Sequence, residues 1–239
     1  MTRIAAILPA AGLGTRMGSD VPKQFLELDG VPIVLLTLRR LSECKEVSDF
    51  FIATRGEEAD ALEQRLSKEK LGGKVQVVKG GETRQQSVAN ALARVSAEET
   101  ELVLVHDAVR PFVTREQVER VIAEARARGA AILGVPAIDT IKEVRRSSLP
   151  QDVALISATI PREKIVLAQT PQAFQTKLLK EAFARAEQDG VTASDEAALV
   201  ERLGHDVYVV QGSERNIKIT KPADMELARF YLEQERRGK

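Results

Sequence analysis

The chain has 239 residues, 44% of them apolar and 29% charged, and its 35 basic side chains balance 35 acidic ones. That length fits one large domain or two small ones with a full core, and the zero net charge argues against a nucleic-acid binder while leaving room for a local basic pocket. A single cysteine, Cys44, excludes an internal disulfide framework and a cysteine-rich metal site; it fits a reducing, cytoplasmic setting, with the thiol expected as a small apolar filler on a helix face.

The first apolar run, Ile4–Leu8, reads as a buried strand. It is too short for a signal peptide, and no run in the chain approaches the roughly 18 apolar residues of a membrane span. Directly after it comes Leu8-Pro9-Ala10-Ala11-Gly12-Leu13-Gly14-Thr15-Arg16-Met17-Gly18, then Pro22-Lys23-Gln24-Phe25. Small residues at the carboxyl edge of an α/β sheet let a phosphate or a flat base approach the main chain. The dinucleotide glycine spacing fails at Met17, and no Gly-Lys-Ser/Thr follows for a phosphate loop. Arg16 and Lys23 beside the glycines suit a polyphosphate; a tight turn with solvated charges is the alternative.

Phe50–Thr54 and Val75–Val78 are the next strands. The first ends on Thr54-Arg55, without the acidic residue a nicotinamide-dependent enzyme needs. Gly80-Gly81-Glu82-Thr83-Arg84-Gln85-Gln86-Ser87 then opens a helix, offering backbone donors and a hydroxyl, or only an N-cap at Glu82 or Thr83. Strand Leu102–His106 leads into His106-Asp107-Ala108-Val109-Arg110-Pro111, where Asp107 could face a metal ion and Arg110 a phosphate, or the two could form a strand-end ion pair. His106 and His205 are the only histidines and lie far apart in sequence, so His106 reads as a structural hydrogen-bonder.

Val118, Val121, Ile122 and Ala125 mark a helix face, followed by strand Ala130–Val135. From Ala137 to about Thr170 the rhythm breaks. Alternating residues flank a Ser147–Pro150 turn, with Ala154–Ile160 as the second limb, which predicts a β-hairpin serving as an arm or a lid. Leu178–Ala186 predicts a helix, Val207–Val210 a strand, and Pro222 to about Arg237 a final helix opened by proline and early acids. Between them, Asn216-Ile217-Lys218-Ile219-Thr220 turns Lys218 away from two isoleucines, toward the same cleft or into solvent. The alternation of apolar strands and amphipathic helices predicts an α/β, mostly parallel, doubly wound (Rossmann-like) sheet with right-handed crossovers. One domain over 1–239, with the β-arm at about 137–165, accounts for the whole chain.

Six motifs occur together and in order: Pro-Ala-Ala-Gly-x-Gly-x-Arg with Pro-Lys-Gln, Gly-Gly-x-x-Arg-x-x-Ser-Val, His-Asp-Ala-x-Arg-Pro, Asp-Thr, Thr-Pro-Gln-x-Phe and Asn-Ile-Lys-x-Thr. With them the chain resembles the 2-C-methyl-D-erythritol 4-phosphate cytidylyltransferase family of the non-mevalonate isoprenoid pathway, from Ile4 to about Tyr231. The resemblance implies transfer of a cytidylyl group from CTP to a polyol phosphate, with Mg²⁺ as cofactor and pyrophosphate as leaving group. It implies Arg16, Lys23 and Lys218 as the catalytic cations, and Ala10, Ala11, Gly12, Gly81, Glu82 and Ser87 as the cytosine and ribose pocket. Asp107 and Arg110 would stand near the metal and the polyol phosphate, with Asp107 as the candidate metal ligand. Thr140 and Arg162 would reach a partner subunit's site through an exchanged arm, making a homodimer, and Thr170 and Ser194 are further substrate-side hydroxyls.

Two departures from the family pattern are Val109, where alanine is usual, and Arg215, where some members carry an acid; no second metal-binding carboxylate is therefore nominated. A ribitol-5-phosphate cytidylyltransferase shares the CTP-side motifs and is the nearest alternative. A non-catalytic nucleotide-binding module is disfavoured by the presence of Arg16, Lys23, Arg162 and Lys218 together. The implied chemistry suits these residues: an ionised phosphate nucleophile needs no general base, so catalysis should rest on positioning and on cations.

Overall fold

The computed structural model describes residues 3–12, 22–145 and 153–237. In chain order the elements are β1 (Arg3–Pro9), a 3-10 turn at Lys23–Phe25, β2 (Glu27–Leu28), β3 (Val31–Pro32), α1 (Ile33–Ser42), β4 (Val47–Thr54), α2 (Gly56–Leu66), β5 (Lys74–Lys79) and α3 (Arg84–Leu92). Then follow β6 (Thr100–Val105), α4 (Arg115–Arg128), β7 (Ala130–Pro136), β8 (Ile141–Arg145), β9 (Leu155–Ile160), a second 3-10 turn at Arg162–Lys164 and β10 (Val166–Gln175). Helices α5 (Thr176–Gln188) and α6 (Glu196–Arg202), strand β11 (Tyr208–Gln211) and α7 (Pro222–Arg237) complete the described chain.

Seven strands form one sheet in the order β11-β7-β10-β6-β1-β4-β5. All neighbouring pairs are parallel except the two made by β10, which runs antiparallel to both β6 and β7. The apolar runs of β1 explain its central place. Ile4, Ala6 and Leu8 enter the core on one face, and Ala5 and Ile7 enter the core on the other. The period of two divides the strand between the layers. Helices α1, α2 and α4 cover the first face, and α3, α5 and α6 the second. Leu8 and Phe50 are fully buried, and trimming either to alanine would cost about 2–5 kcal/mol.

The six strands read from sequence are present, and each predicted boundary lies within about three residues of its strand. The antiparallel β10 is not among them. Its sequence, Val166-Leu-Ala-Gln-Thr-Pro-Gln-Ala-Phe-Gln, is interrupted by polar residues and a proline, and so lacks the continuous apolarity of its neighbours. Pro171 falls where the ladder to β7 breaks, between Ala168 and Gln172, the position at which a strand tolerates a missing donor. Gln169, Thr170 and Gln172 are buried there because neighbouring loops supply their hydrogen bonds. Cys44 is also a correction: it is buried, but in the turn after α1 rather than on a helix face.

β8 and β9 form a separate two-stranded antiparallel sheet, pairing Ile141 with Ile160 and Arg145 with Leu155. Only this part of the 137–165 segment is hairpin, since the chain after Ile160 turns at Arg162–Lys164 into β10. The Ser147–Pro150 turn lies outside the described residues.

The order of connections places the ligand crevice. From β1 the chain moves to β4 and β5 on one side, then returns to β6 on the other. The connections leaving the carboxyl ends of the neighbouring strands β1 and β6 therefore run to opposite sides, and open α/β sheets bind ligands at such a switch point.

Candidate active site

Three loops meet there: the segment after β1, the turn between β5 and α3, and the segment after β6. A fourth, carrying Lys218, runs beside them. Together they line a cleft of about 240 Å³ that includes Ala11, Gly12, Lys23, Gly81, Asp107 and Lys218.

Residues 10–12, the described start of the first loop, are fastened from both sides. The Gln24 amide, itself buried, donates to the carbonyls of Ala10 (2.5 Å) and Gly12 (3.1 Å). Arg55 Nε, at the end of β4, donates to Ala11 O at 3.0 Å. The second loop presses against the first. A Cβ at Gly80 would stand 2.4 Å from that of Ala11, and one at Gly81 would stand 2.4 Å from that of Gln86. Only glycine fits either place. Thr83 caps α3, accepting from Gln86 N at 3.1 Å, while Gln86 Oε1 accepts from the Glu82 and Thr83 amides. The N-cap reading of this motif holds at Thr83, and the same turn forms one wall of the cleft. Ser87 is committed within the loop, accepting from Gly81 N (3.1 Å) and donating to Thr83 O (2.9 Å).

The third loop carries the electrostatic centre. Asp107 Oδ1 faces Arg84 Nε at 3.3 Å, and Oδ2 faces Arg110 Nε at 3.2 Å and Lys218 Nζ at 2.9 Å. Burial opposes ionisation of this carboxyl, but the three cations outweigh it and hold its pKa below the usual carboxylate range. Arg84 is held in turn by both oxygens of the buried Glu196, at 2.7 and 3.0 Å. Burial works against the Arg84 cation; Glu196 and Asp107 more than restore it, and its pKa is raised. Burial pushes the Glu196 carboxyl up, with Arg84 opposing, and lowers Arg110 despite Asp107. Among the described residues, Lys23, Arg84, Arg110 and Lys218 bring positive charge to the cleft and its rear, against the carboxylates of Glu82, Asp107 and Glu196.

Lys218 is kept in place by its backbone. Arg110 Nη1 donates to Asn216 O at 2.7 Å, Ile219 N donates to Val109 O at 3.0 Å, and Ile219 is buried. Of the two directions the sequence leaves open for Lys218, the structure has the one toward the cleft.

His106 lies beneath. Its Nε2 is 3.1 Å from Arg110 O, an acceptor only, so Nε2 carries the proton. Nδ1 then accepts from Thr170 Oγ1 at 3.0 Å, and that same oxygen accepts from Asp107 N at 3.0 Å. Burial lowers the imidazole pKa to about 4. A neutral ring with both nitrogens bonded is a structural hydrogen-bonder.

Several sequence-predicted residues stand elsewhere. Arg16 lies outside the described residues. Ala10 is buried just behind Ala11. Thr170 does not line the cleft; it is buried under Asp107, with its hydroxyl engaged there. Ser194 is exposed, next to the Asp195 cap of α6. Thr140 and Arg162 lie together at the base of the β8–β9 hairpin, where Arg162 Nη1 donates to Ile138 O at 2.5 Å, and neither lines this chain's cleft. Sequence reasoning did not nominate Gln24, Arg84 or Glu196. The first two sit inside the motifs already quoted. Glu196 carries no local signal, because its role follows from burial against Arg84.

Asp107 does not fit a protein-held Mg²⁺. Both its oxygens are taken by cations, whereas Mg²⁺ requires oxygen ligands in near-octahedral array. No group of three or more His, Cys, Asp or Glu side chains that could hold a metal occurs among the described residues.

A glycine-lined cleft at the switch point of a mostly parallel sheet, with Lys23, Arg84 and Lys218 in its lining, is the arrangement of an α/β nucleotidyltransferase. The chain matches the family model for 2-C-methyl-D-erythritol 4-phosphate cytidylyltransferase (IspD) over residues 4–234. It is 52% identical over 237 residues to the enzyme of that name from Acidobacterium capsulatum, covering 97% of this chain and 98% of the relative. It is 48% identical over 240 residues to that of Solibacter usitatus, covering 98% and 97%. Among solved structures it resembles 4-diphosphocytidyl-2C-methyl-D-erythritol synthase from Anaerococcus prevotii, with a TM-score of 0.83 at 30% identity, over 97% of this chain and 99% of that one. The 2-C-methyl-D-erythritol 4-phosphate cytidylyltransferase of Thermus thermophilus gives a TM-score of 0.75 at 36% identity, over 96% and 98%. The chain belongs to the 2-C-methyl-D-erythritol 4-phosphate cytidylyltransferase family and is an enzyme of the nucleotidyltransferase class.

Proposed function

We propose that the cation-lined cleft at the β1/β6 switch point is where this chain joins CTP to 2-C-methyl-D-erythritol 4-phosphate, the activity of its family. A phosphate oxygen of the polyol phosphate attacks the α-phosphorus, the new oxygen–phosphorus bond forms, and the bond to the β-phosphate oxygen breaks. The electron pair leaves with pyrophosphate. The products are pyrophosphate and 4-diphosphocytidyl-2-C-methyl-D-erythritol. The nucleophile is already ionised, so no group need take its proton, which agrees with a buried neutral His106. The observation that carries the reading is the convergence of Lys218, Arg84 and Arg110 on one carboxylate beside Lys23 and the glycine loops. Charge spread over the triphosphate in the transition state is stabilised by such fixed cations.

In this reading Lys23 and Lys218 contact the triphosphate, with Arg16 as the third catalytic cation. The main chain of Ala10, Ala11, Gly12 and Gly81, with Glu82 and Ser87, forms the cytidine pocket; Arg110 and Ser194 belong to the polyol side, and Thr170 acts behind them only through Asp107 and His106. Mg²⁺, which the family resemblance implies, would neutralise phosphate charge during the transfer, and no protein carboxylate is assigned to hold it.

The chain works as one domain over 1–239 and as a homodimer. Its β8–β9 arm brings Thr140 and Arg162 to the partner's polyol-phosphate site. Two features support the arm: Thr140 and Arg162 share its base, and Leu155 and Ile156, which alternate between the faces of the ribbon, are each 57% exposed. A two-stranded ribbon is marginal by itself. The free, buried Cys44 is compatible with a reducing, cytoplasmic setting, and no helix among the described residues is long and apolar enough to cross a membrane. Pyrophosphate release is the test, with CTP, Mg²⁺ and either the methylerythritol or the ribitol phosphate. Turnover with the methylerythritol substrate at least about a hundredfold faster is expected; equal rates would refute the assignment.

A further inference from the structure

Glu196 does not line the cleft, yet it is tied to it. It stands in the first turn of α6 with 2% of its side chain exposed, and both its oxygens receive the Arg84 guanidinium. The helix does not depend on it. Asp195 caps α6 through the Ala198 amide at 3.1 Å, and Gln172 anchors the same turn to β10 through Asp195 Oδ2 (2.8 Å) and Ala197 N (3.1 Å). A buried ion pair is weak support for stability, since apolar replacements are often neutral or better. What Glu196 fixes is the direction of Arg84. With two nitrogens of the guanidinium held from behind, Nε is left facing Asp107 Oδ1 at 3.3 Å.

We propose that Glu196 is a positioning residue for cytidylyl transfer, acting through Arg84 to hold the Asp107 carboxylate against which Lys218 is registered. The inference rests on the reading that the triphosphate binds beside Lys218. When the nucleotide draws the Lys218 ammonium off Asp107, the carboxylate keeps Arg84 and Arg110 and does not follow the lysine into the cleft. Without Glu196, Arg84 has one anionic partner in place of two. It lines the cleft and is then free to turn toward the phosphates, taking Asp107 out of register. A misplaced cation costs more where charge develops than in the ground state. The loss should therefore appear in kcat rather than in the KM for CTP.

The test is a double-mutant cycle read by pyrophosphate release, with Lys218→Ala alongside. Glu196→Gln should lower kcat about tenfold while the KM for CTP moves less than about threefold, and Glu196→Asp should recover part of the loss. In Arg84→Gln/Glu196→Gln the loss should be no greater than in Arg84→Gln alone, because one acts through the other. If Glu196→Gln does not fold, Glu196→Asp carries the same cycle with Arg84→Gln. Losses that multiply in the double variant, or wild-type kcat in the single one, would overturn the proposal. A wild-type rate in Lys218→Ala would instead overturn the cleft assignment beneath it.

Discussion

At the switch point Asp107 is 6% exposed and each of its oxygens meets a cation, while on the β8–β9 ribbon Leu155 and Ile156 each leave 57% of their surface to solvent. The cleft is closed by its own chain. Glycines admit the loops to one another, Gln24 and Arg55 hold residues 10–12, and Glu196, Arg84 and Asp107 form a row of alternating charge. The ribbon has no such closure. Among the described residues its strands pair only with each other, and its apolar residues include Val144 at 42%. The lesson is that charge is gathered where the chain packs against itself, whereas the apolar residues of the ribbon stay on the surface.

This contrast can be broken at either end, and the largest effect belongs to the cleft. Lys23→Ala should lower turnover by about a hundredfold or more with the melting temperature near that of the wild type; near-normal turnover would remove Lys23 from the mechanism. On the ribbon, Leu155→Glu with Ile156→Glu should leave the chain monomeric by sedimentation and lower activity by about tenfold or more, since one charged residue on each face opposes burial. A fully active monomer would free the ribbon of any part in the site. Arg162→Ala should raise the KM for the polyol phosphate by about tenfold and leave CTP binding by calorimetry within about twofold. Equal loss of both affinities would erase the division between arm and cleft.

The smallest effect is on stability against pH. His106 is held neutral in the fold, its pKa lowered from 6.5 to about 4, so between those values the unfolded chain binds more protons. The contribution is present above pH 6.5 and is lost as pH falls toward 4, by roughly 3 kcal/mol in all. Asp107, also lowered, adds its own loss below its unfolded pKa of about 3.9. Urea titrations of the wild type and of His106→Gln should diverge over the histidine range; parallel pH dependence would contradict the buried neutral ring.

The parallel strands were legible because burial on both faces leaves a continuous apolar run, as in Ile4–Leu8 and Leu102–Val105. β10 was not, because its buried Gln169, Thr170 and Gln172 are accommodated by loops far off in sequence. The glycine turns, Asp107, Lys23 and Lys218 were legible because their motifs carry chemistry at fixed spacing. Thr170 was placed on the substrate side by resemblance, whereas its hydroxyl is spent on Asp107 N and His106. Glu196 illustrates the limit. Nothing local distinguishes it from Glu201, the other acid of its helix, and only packing makes it a partner of Arg84.

The central claim is that cations gathered around Asp107 receive the triphosphate and stabilise its transfer. Single-turnover pyrophosphate release by Lys218→Ala, at saturating CTP and methylerythritol phosphate, tests it most directly. A rate lower by about a hundredfold in a folded protein is the result the geometry predicts. A Lys218→Ala enzyme that releases pyrophosphate as fast as the wild type would contradict it.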